Sequence, residues 1–300
     1  MSDVKIRIGM GLGTRTTLND ERFAPFCQAT ERVGFDSLWV SERLGGDCPD
    51  PVVAMAVAAG ATTKLKFGMS VMVLPGRNPV VTAKTLASLD RISGGRLLPA
   101  FGLGVADPRE QQAFGLERKE RGPWLEEALP LIRRLWNEDG VTHEGERFAY
   151  TDLTIRPKPV GRMEVWLGGA APRELDRVGR LANGWLPSFT TPDIAAADWR
   201  TVNEIAEAND RHIDDDHFGM LIPYVRGDEV PDQMAEIIAK RRPDADVRDV
   251  VAVGLDGLRV LIERFVAVGA SKFVVVPAAD ADDWIAEVED LAETVLPLQT

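Results

Sequence analysis

Phe273-Val274-Val275-Val276 is apolar at every position, between Lys272 and Pro277. A strand with one wet face alternates apolar and polar residues. A run without alternation fits a strand covered on both sides, as in a parallel sheet between helices. Outward from it, the same kind of short β-rich run recurs, and strands are expected over residues 5–10, 37–40, 66–73, 97–103, 164–168, 184–186, 218–224 and 272–276. Helical patterns fill the gaps, over 20–33, 51–62, 79–92, 172–181, 191–209 and 258–268, and a last helix over 281–296. Asp50-Pro51 and Asn78-Pro79 each set a capping residue before a proline suited to a first helical turn, and Gly34 stops the first helix. Eight strands alternating with helices predict an α/β fold, a (β/α)8 TIM barrel, with a doubly wound open sheet as the rival.

Residues 1–300 read as one domain, since no shift in composition marks a boundary. Two stretches break the rhythm. Residues 107–160 separate strands four and five by far more than a loop and contain a helix over 124–136. An insertion of this size is expected to sit at the mouth of a barrel as a lid or an oligomer contact. Residues 228–250 form a second, more polar insertion.

The 300 residues carry a net charge of -12, which repels phosphate backbones and argues against nucleic acid as a partner. Two cysteines in such a length make neither a disulfide framework nor a zinc cluster. Met1-Ser2-Asp3-Val4-Lys5 lacks a basic region followed by an apolar stretch, and no apolar run nears the ~18 residues of a membrane span. A cytoplasmic location is the expectation, with no membrane partner.

Common chemistries are set aside on their motifs. Neither a Gly-x-Ser-x-Gly elbow nor a Walker A sequence occurs. Gly9, Gly11 and Gly13 lack the dinucleotide spacing, and Gly102-Leu103-Gly104 lacks a third glycine and a helix directly after it. In His212-Ile213-Asp214-Asp215-Asp216-His217 the histidines are five apart, off any one helix face, so the segment reads as an acidic turn and no metal site is expected. Gly168-Gly169-Ala170-Ala171-Pro172-Arg173 follows an apolar strand and opens a helix. It is either an anion site built from free N–H groups or a tight turn that needs glycine. Ser41-Glu42-Arg43 ends strand two at the face where barrels gather ligands. Trp39 and Trp185 read as core.

Together these segments look familiar. Gly34-Phe35-Asp36-Ser37-Leu38-Trp39-Val40-Ser41-Glu42 resembles the second-strand segment of the luciferase-like superfamily. The stretch from Asn78-Pro79 to Leu89-Asp90, followed by Ser93-Gly94-Gly95-Arg96, is similar to its third helix and the approach to strand four. Leu167-Gly168-Gly169 with Asn183-Gly184-Trp185 resembles its phosphate-side segment, and Pro157-Lys158-Pro159 also fits. The resemblance implies a barrel that binds FMN or the deazaflavin coenzyme F420 at its C-terminal face, with the deazaflavin branch favoured, a homodimer, and a small-molecule substrate. It places a non-proline cis peptide at Ser70-Val71 against the ring, Glu42, Arg43 and Gly104 nearby, and Gly168, Gly169 and Ala170 at the phosphate. Arg43, Arg77 and Arg173 would form a basic rim for the phosphodiester and acidic tail of F420. This chain departs from relatives that carry a histidine at the position of Arg43, and from those with a glutamate just after strand four, where Val105-Ala106-Asp107 stands. Glu42 and Asp107 are the candidates for proton transfer. Three functions compete: hydride transfer with F420, an FMN-dependent monooxygenase, and a non-catalytic flavin-binding protein.

Overall fold

In the computed structural model, which describes residues 4–243 and 245–300, the run at Phe273 belongs to a closed parallel barrel. Met1-Ser2-Asp3, on which the absence of a leader was read, lies outside the described residues. The strands are β1 (Arg7–Leu12), β2 (Ser37–Val40), β3 (Lys66–Met69, resuming at Met72–Val73), β4 (Leu97–Leu98, resuming at Ala100–Gly102), β5 (Trp166–Leu167), β6 (Gly184–Trp185), β7 (Gly219–Val225) and β8 (Lys272–Pro277). β8 pairs with both β1 and β7, and pairing runs on through β2, β3 and the first part of β4. The second parts of β3 and β4 continue the ladder to β5 and β6. Bridges from Trp185 to Phe218 and from Ser188 to Leu221 close the ring.

The unbroken apolar pattern has a direct cause. Val274 and Val276 point into the barrel beside Trp39, Ala100, Trp166 and Leu186, while Phe273 and Val275 join the larger layer under the helices. Trp39 fills the interior because glycines make room: a methyl on Gly9 would stand 2.7 Å from its Nε1, and one on Gly68 2.8 Å from its Cε3. Two expected strands are interrupted. β3 breaks at the Ser70-Val71 peptide, which is cis, and β4 breaks at Pro99, which has no N–H for the ladder.

The helices are α1 (Phe23–Val33), α2 (Pro51–Ala61), α3 (Pro79–Ser93), α4 (Pro108–Phe114), α5 (Arg118–Asn137), α6 (Pro172–Leu181), α7 (Pro192–Ala208), α8 (Asp232–Arg241), α9 (Gly254–Ala267) and α10 (Trp284–Val295). The expected caps form: Asp50 accepts from the N–H groups of Val52 and Val53, and Asn78 from those of Val80 and Val81. Gly34 ends α1 with φ 102. Glu31 near the end of α1 accepts from the N–H groups of Thr63, Lys64 and Leu65, tying α1 to the approach to β3.

The stretch 107–160 is not one block at the mouth. α5 packs between α3 and α6 and so serves as the ring helix between β4 and β5. The hairpin Val141–Glu144 with Ala149–Leu153 lies against α5: Glu127 accepts from the N–H groups of Arg147 and Phe148, and the rings of Trp124 and Phe148 meet edge-on at 5.1 Å. The second insertion contains α8 and leads to an unexpected short strand, Ala252–Val253, beside β7.

Candidate functional site

The C-terminal ends of the strands open into a cavity of about 440 Å³. Its wall is built from the residues after β2, β3, β4, β5 and β8, and Met234 and Ile237 of α8 overhang it. Val71 lines this cavity. Its side chain fills the space between two glycines: a methyl on Gly102 would stand 2.5 Å from Val71 Cγ2, and one on Gly168 3.1 Å from Cγ1. Val71 after β3, Gly102 at the end of β4 and Gly168 after β5 follow one another across three neighbouring strands, and the valine side chain covers both glycines in a continuous wall that no larger residue at 102 would allow.

Glu42 is committed to holding that wall. Its Oε2 accepts from Val73 N at 2.6 Å, its Oε1 accepts from Arg77 Nη2, and Arg77 Nε donates to Val73 O at 2.9 Å. Burial pushes the Glu42 carboxyl above its ordinary range, against the opposing pull of Arg77 and of the Val73 N–H. Arg77 is spent on this pair and does not line the cavity.

Arg43 does line the cavity, but between two carboxylates. Its Nη2 lies 3.3 Å from Asp107 Oδ2 and its Nε 3.3 Å from Glu110 Oε1. Asp107 caps α4, accepting from Arg109 N at 2.9 Å. That N–H, with Arg109 and Arg43, holds its carboxyl below the usual range, which suits a permanent anion better than a proton donor. Glu110, one turn on, is 5% exposed, faces the cavity, and its Oε1 has no hydrogen bond. Beneath the loop, the fully buried Arg121 donates from Nη1 to Leu103 O at 2.9 Å and Val105 O at 3.0 Å. Gly104, at φ 75, has this nitrogen 3.0 Å from where a methyl would stand.

Gly168, Gly169 and Glu174 line another part of the cavity, and Ala170, the third residue expected there, does not line it. Ala170 N and Ala171 N both donate to Glu174 Oε2, at 3.0 and 2.9 Å. A methyl on Gly169, at φ 96, would stand 2.5 Å from that same oxygen. Trp185, expected as plain core, is buried and also donates from Nε1 to Gly169 O at 2.7 Å. Arg173 is exposed, forms no ion pair among the described residues, and does not line the cavity. The expected basic rim is therefore not what the chain builds. The cavity is lined by Glu42, Glu110, Glu174 and Asp280 against Arg15 and Arg43, and Arg43 and Arg77 are answered by the chain's own carboxylates.

The histidine segment is elsewhere. Asp215–His217 is a short turn leading to β7, and His217 Nδ1 meets Asn183 O at 2.6 Å, just before β6, at the opposite end of the barrel. Among the cavity residues that the sequence reading does not single out are Glu110 and Glu174. Asp107-Pro108 repeats the start signal of Asp50-Pro51, and taking it as a helix start would have put Glu110 on the first turn of α4. Glu174 stands at the third helical position after Ala171, where a glutamate reaches back to free N–H groups.

A family model of the luciferase-like monooxygenases matches residues 6–243, and the chain belongs to that family. An F420-dependent glucose-6-phosphate dehydrogenase of Kineococcus radiotolerans is 30% identical over 181 residues, 55% of this chain and 53% of the relative. The chain thus matches about half the length of that relative. Two solved structures share the fold. An F420-dependent secondary alcohol dehydrogenase in complex with an F420-acetone adduct has a TM-score of 0.82 at 19% identity, covering 99% of this chain and 100% of the other. The oxygenating constituent of 3,6-diketocamphane monooxygenase of Pseudomonas putida, with FMN, has a TM-score of 0.79 at 20% identity, covering 99% of each. No described helix is long and apolar enough to cross a membrane.

Proposed function

We propose that this chain is an F420-dependent oxidoreductase that exchanges a hydride with a small organic substrate at the mouth of the barrel. The observation that carries the reading is the wall that Val71 makes over Gly102 and Gly168, an apolar backing for a flat ring. F420, when bound, supplies the hydride-carrying carbon. Ser70, Val71 and Gly104 back the ring, and Gly168, Gly169 and Ala170 face its phosphate end. Glu42 and Arg77 hold the frame and take no part in proton transfer. Arg43, fixed by Asp107, orients Glu110, to which the reading assigns the acid–base step in place of Glu42 or Asp107. Arg173, free at the start of α6, is left for the acidic tail.

The fold is shared by enzymes named for F420 and for FMN, so cofactor choice has to be measured. Titration of the protein with each cofactor, followed by fluorescence, is expected to give the tighter dissociation constant for F420. Tighter binding of FMN transfers the assignment to the monooxygenase, and binding of F420 without turnover on any tested alcohol, sugar phosphate or imine supports the non-catalytic alternative.

The reading takes residues 1–300 as one catalytic unit, working in the cytoplasm as a homodimer. A dimer is supported by the outer faces of α2 and α3, where Val53, Val57 and Val81 are exposed at 61%, 41% and 62%.

A further inference from the structure

We propose that Glu174 is a charge filter at the phosphate end of the cavity, selecting a phosphodiester over a phosphomonoester. This rests on the cofactor reading above. The N–H groups of Ala170 and Ala171 are the donors that an incoming anion would use, and both already point at one oxygen of Glu174. A phosphate oxygen reaches them only by moving the Glu174 side chain aside. Glu174 is the third residue beyond Ala171 on α6 and its backbone is fixed by the helix, so the displaced carboxylate stays within a side chain's length of the anion that replaces it.

The chain offers little to offset this charge. Arg177, one turn along α6, is paired with Glu126, its Nε 2.7 Å from Oε1. Arg180 is shared between Asp176 and Glu126. Arg173 is exposed to solvent, where its charge is screened. The loop is held in place by Trp185, whose Nε1 donates to the Gly169 carbonyl at 2.7 Å, and only a residue without a side chain fits at 169 beside Glu174.

The repulsion between Glu174 and the ligand scales with the product of their charges. The phosphodiester of F420 carries one negative charge. The terminal phosphate of FMN carries about 1.5 to 2 at pH 7. Glu174 thus penalises both cofactors and penalises FMN more, which makes it a specificity-determining residue although it touches no reacting atom.

The test is equilibrium binding of F420, FMN and inorganic phosphate to the wild-type protein and to Glu174→Gln, at low and high salt. Gln keeps an oxygen to accept from Ala170 and Ala171 and loses the charge, so the start of α6 stays capped. Glu174→Ala, which also removes the cap, is the second variant and should show the same order of effects. With Glu174→Gln, F420 is expected to tighten by about threefold and FMN by about tenfold, roughly the square of the first factor for a doubled charge. Inorganic phosphate should follow FMN, and the gains should shrink in high salt. Equal gains for the two cofactors, or none, overturn the filter while leaving the cofactor reading intact. Binding of neither cofactor to either protein overturns both.

Discussion

The indole Nε1 of Trp185 donates to the carbonyl of Gly169 at 2.7 Å. This one bond joins the buried end of β6 to the glycine turn after β5, and it fixes the direction in which the turn's N–H groups point. Trp185→Phe keeps the stack on Trp199 and Phe218 and removes only the donor. We expect a loss of about 1 kcal/mol in stability by denaturant titration, together with weaker binding of any phosphate-bearing cofactor. Unchanged affinity would show that the turn holds its shape without the tryptophan.

Glu110 is a buried carboxylate that faces the cavity, its Oε1 3.3 Å from Arg43 Nε and without a hydrogen bond. Glu110→Gln is expected to lower turnover by about a hundredfold or more, the usual scale for a lost acid–base group, and to leave the F420 dissociation constant within about twofold. The measurement is kcat on whichever substrate the wild-type enzyme turns over, alongside direct cofactor titration. An unaltered kcat would move the proton transfer to another group.

Glu31 gives a pH-dependent prediction remote from the cavity. Burial pushes its carboxyl up, but the N–H groups of Lys64, Leu65 and Thr63 outweigh that and hold it below the ordinary value of 4.5. A depressed folded value means that the stabilisation is present above pH 4.5 and is lost as pH falls through the folded value. Glu31→Gln should therefore lower stability by about 1 kcal/mol at pH 7, and the two proteins should converge in acid. A difference that persists unchanged to pH 3 would contradict this account.

Val53 and Val57 lie one turn apart on α2, both exposed. Asp at both positions is expected to convert the proposed dimer into a folded monomer in sedimentation equilibrium, with the circular dichroism spectrum retained. A wild-type protein that sediments as a monomer at tens of micromolar would refute the dimer directly.

Much of this fold was open to reading from the chain, for a physical reason: strands buried on both faces write continuous apolar runs, and Phe273 to Val276 is such a run. Helix starts at Asp50-Pro51 and Asn78-Pro79 were equally plain. Where the reading stopped, the cause was tertiary. The helix over 124–136 reads as part of an insertion, although it belongs to the ring, because the distance between β4 and β5 in sequence does not show which part packs against α3. Glu42 and Asp107 stood out as charged residues at strand ends, but a sequence does not show that both oxygens of Glu42 are already taken, or that Asp107 is a helix cap. Glu110 and Glu174 were hidden among ordinary surface-like glutamates, and only the folding of α4 and α6 turns them to the cavity. The Ser70-Val71 cis peptide came from the family resemblance, and composition or periodicity alone would not have located it.

Glu42 and Arg43 are neighbours in the chain, yet their side chains go to different places: Glu42 to the end of β3, and Arg43 to the segment after β4. Two consecutive residues thus brace three adjacent strand ends on one side of the opening. Across from it, the wall is made of Phe189, of the residues following Pro277, and of Met234 and Ile237 on α8, a helix carried by the second insertion. The two banks are built differently: ion pairs and hydrogen bonds of Glu42 and Arg43 tie one together, and apolar side chains of α8 line the other. Engineering for bulkier substrates is best begun at Met234 and Ile237, where room can be made without touching the braced side.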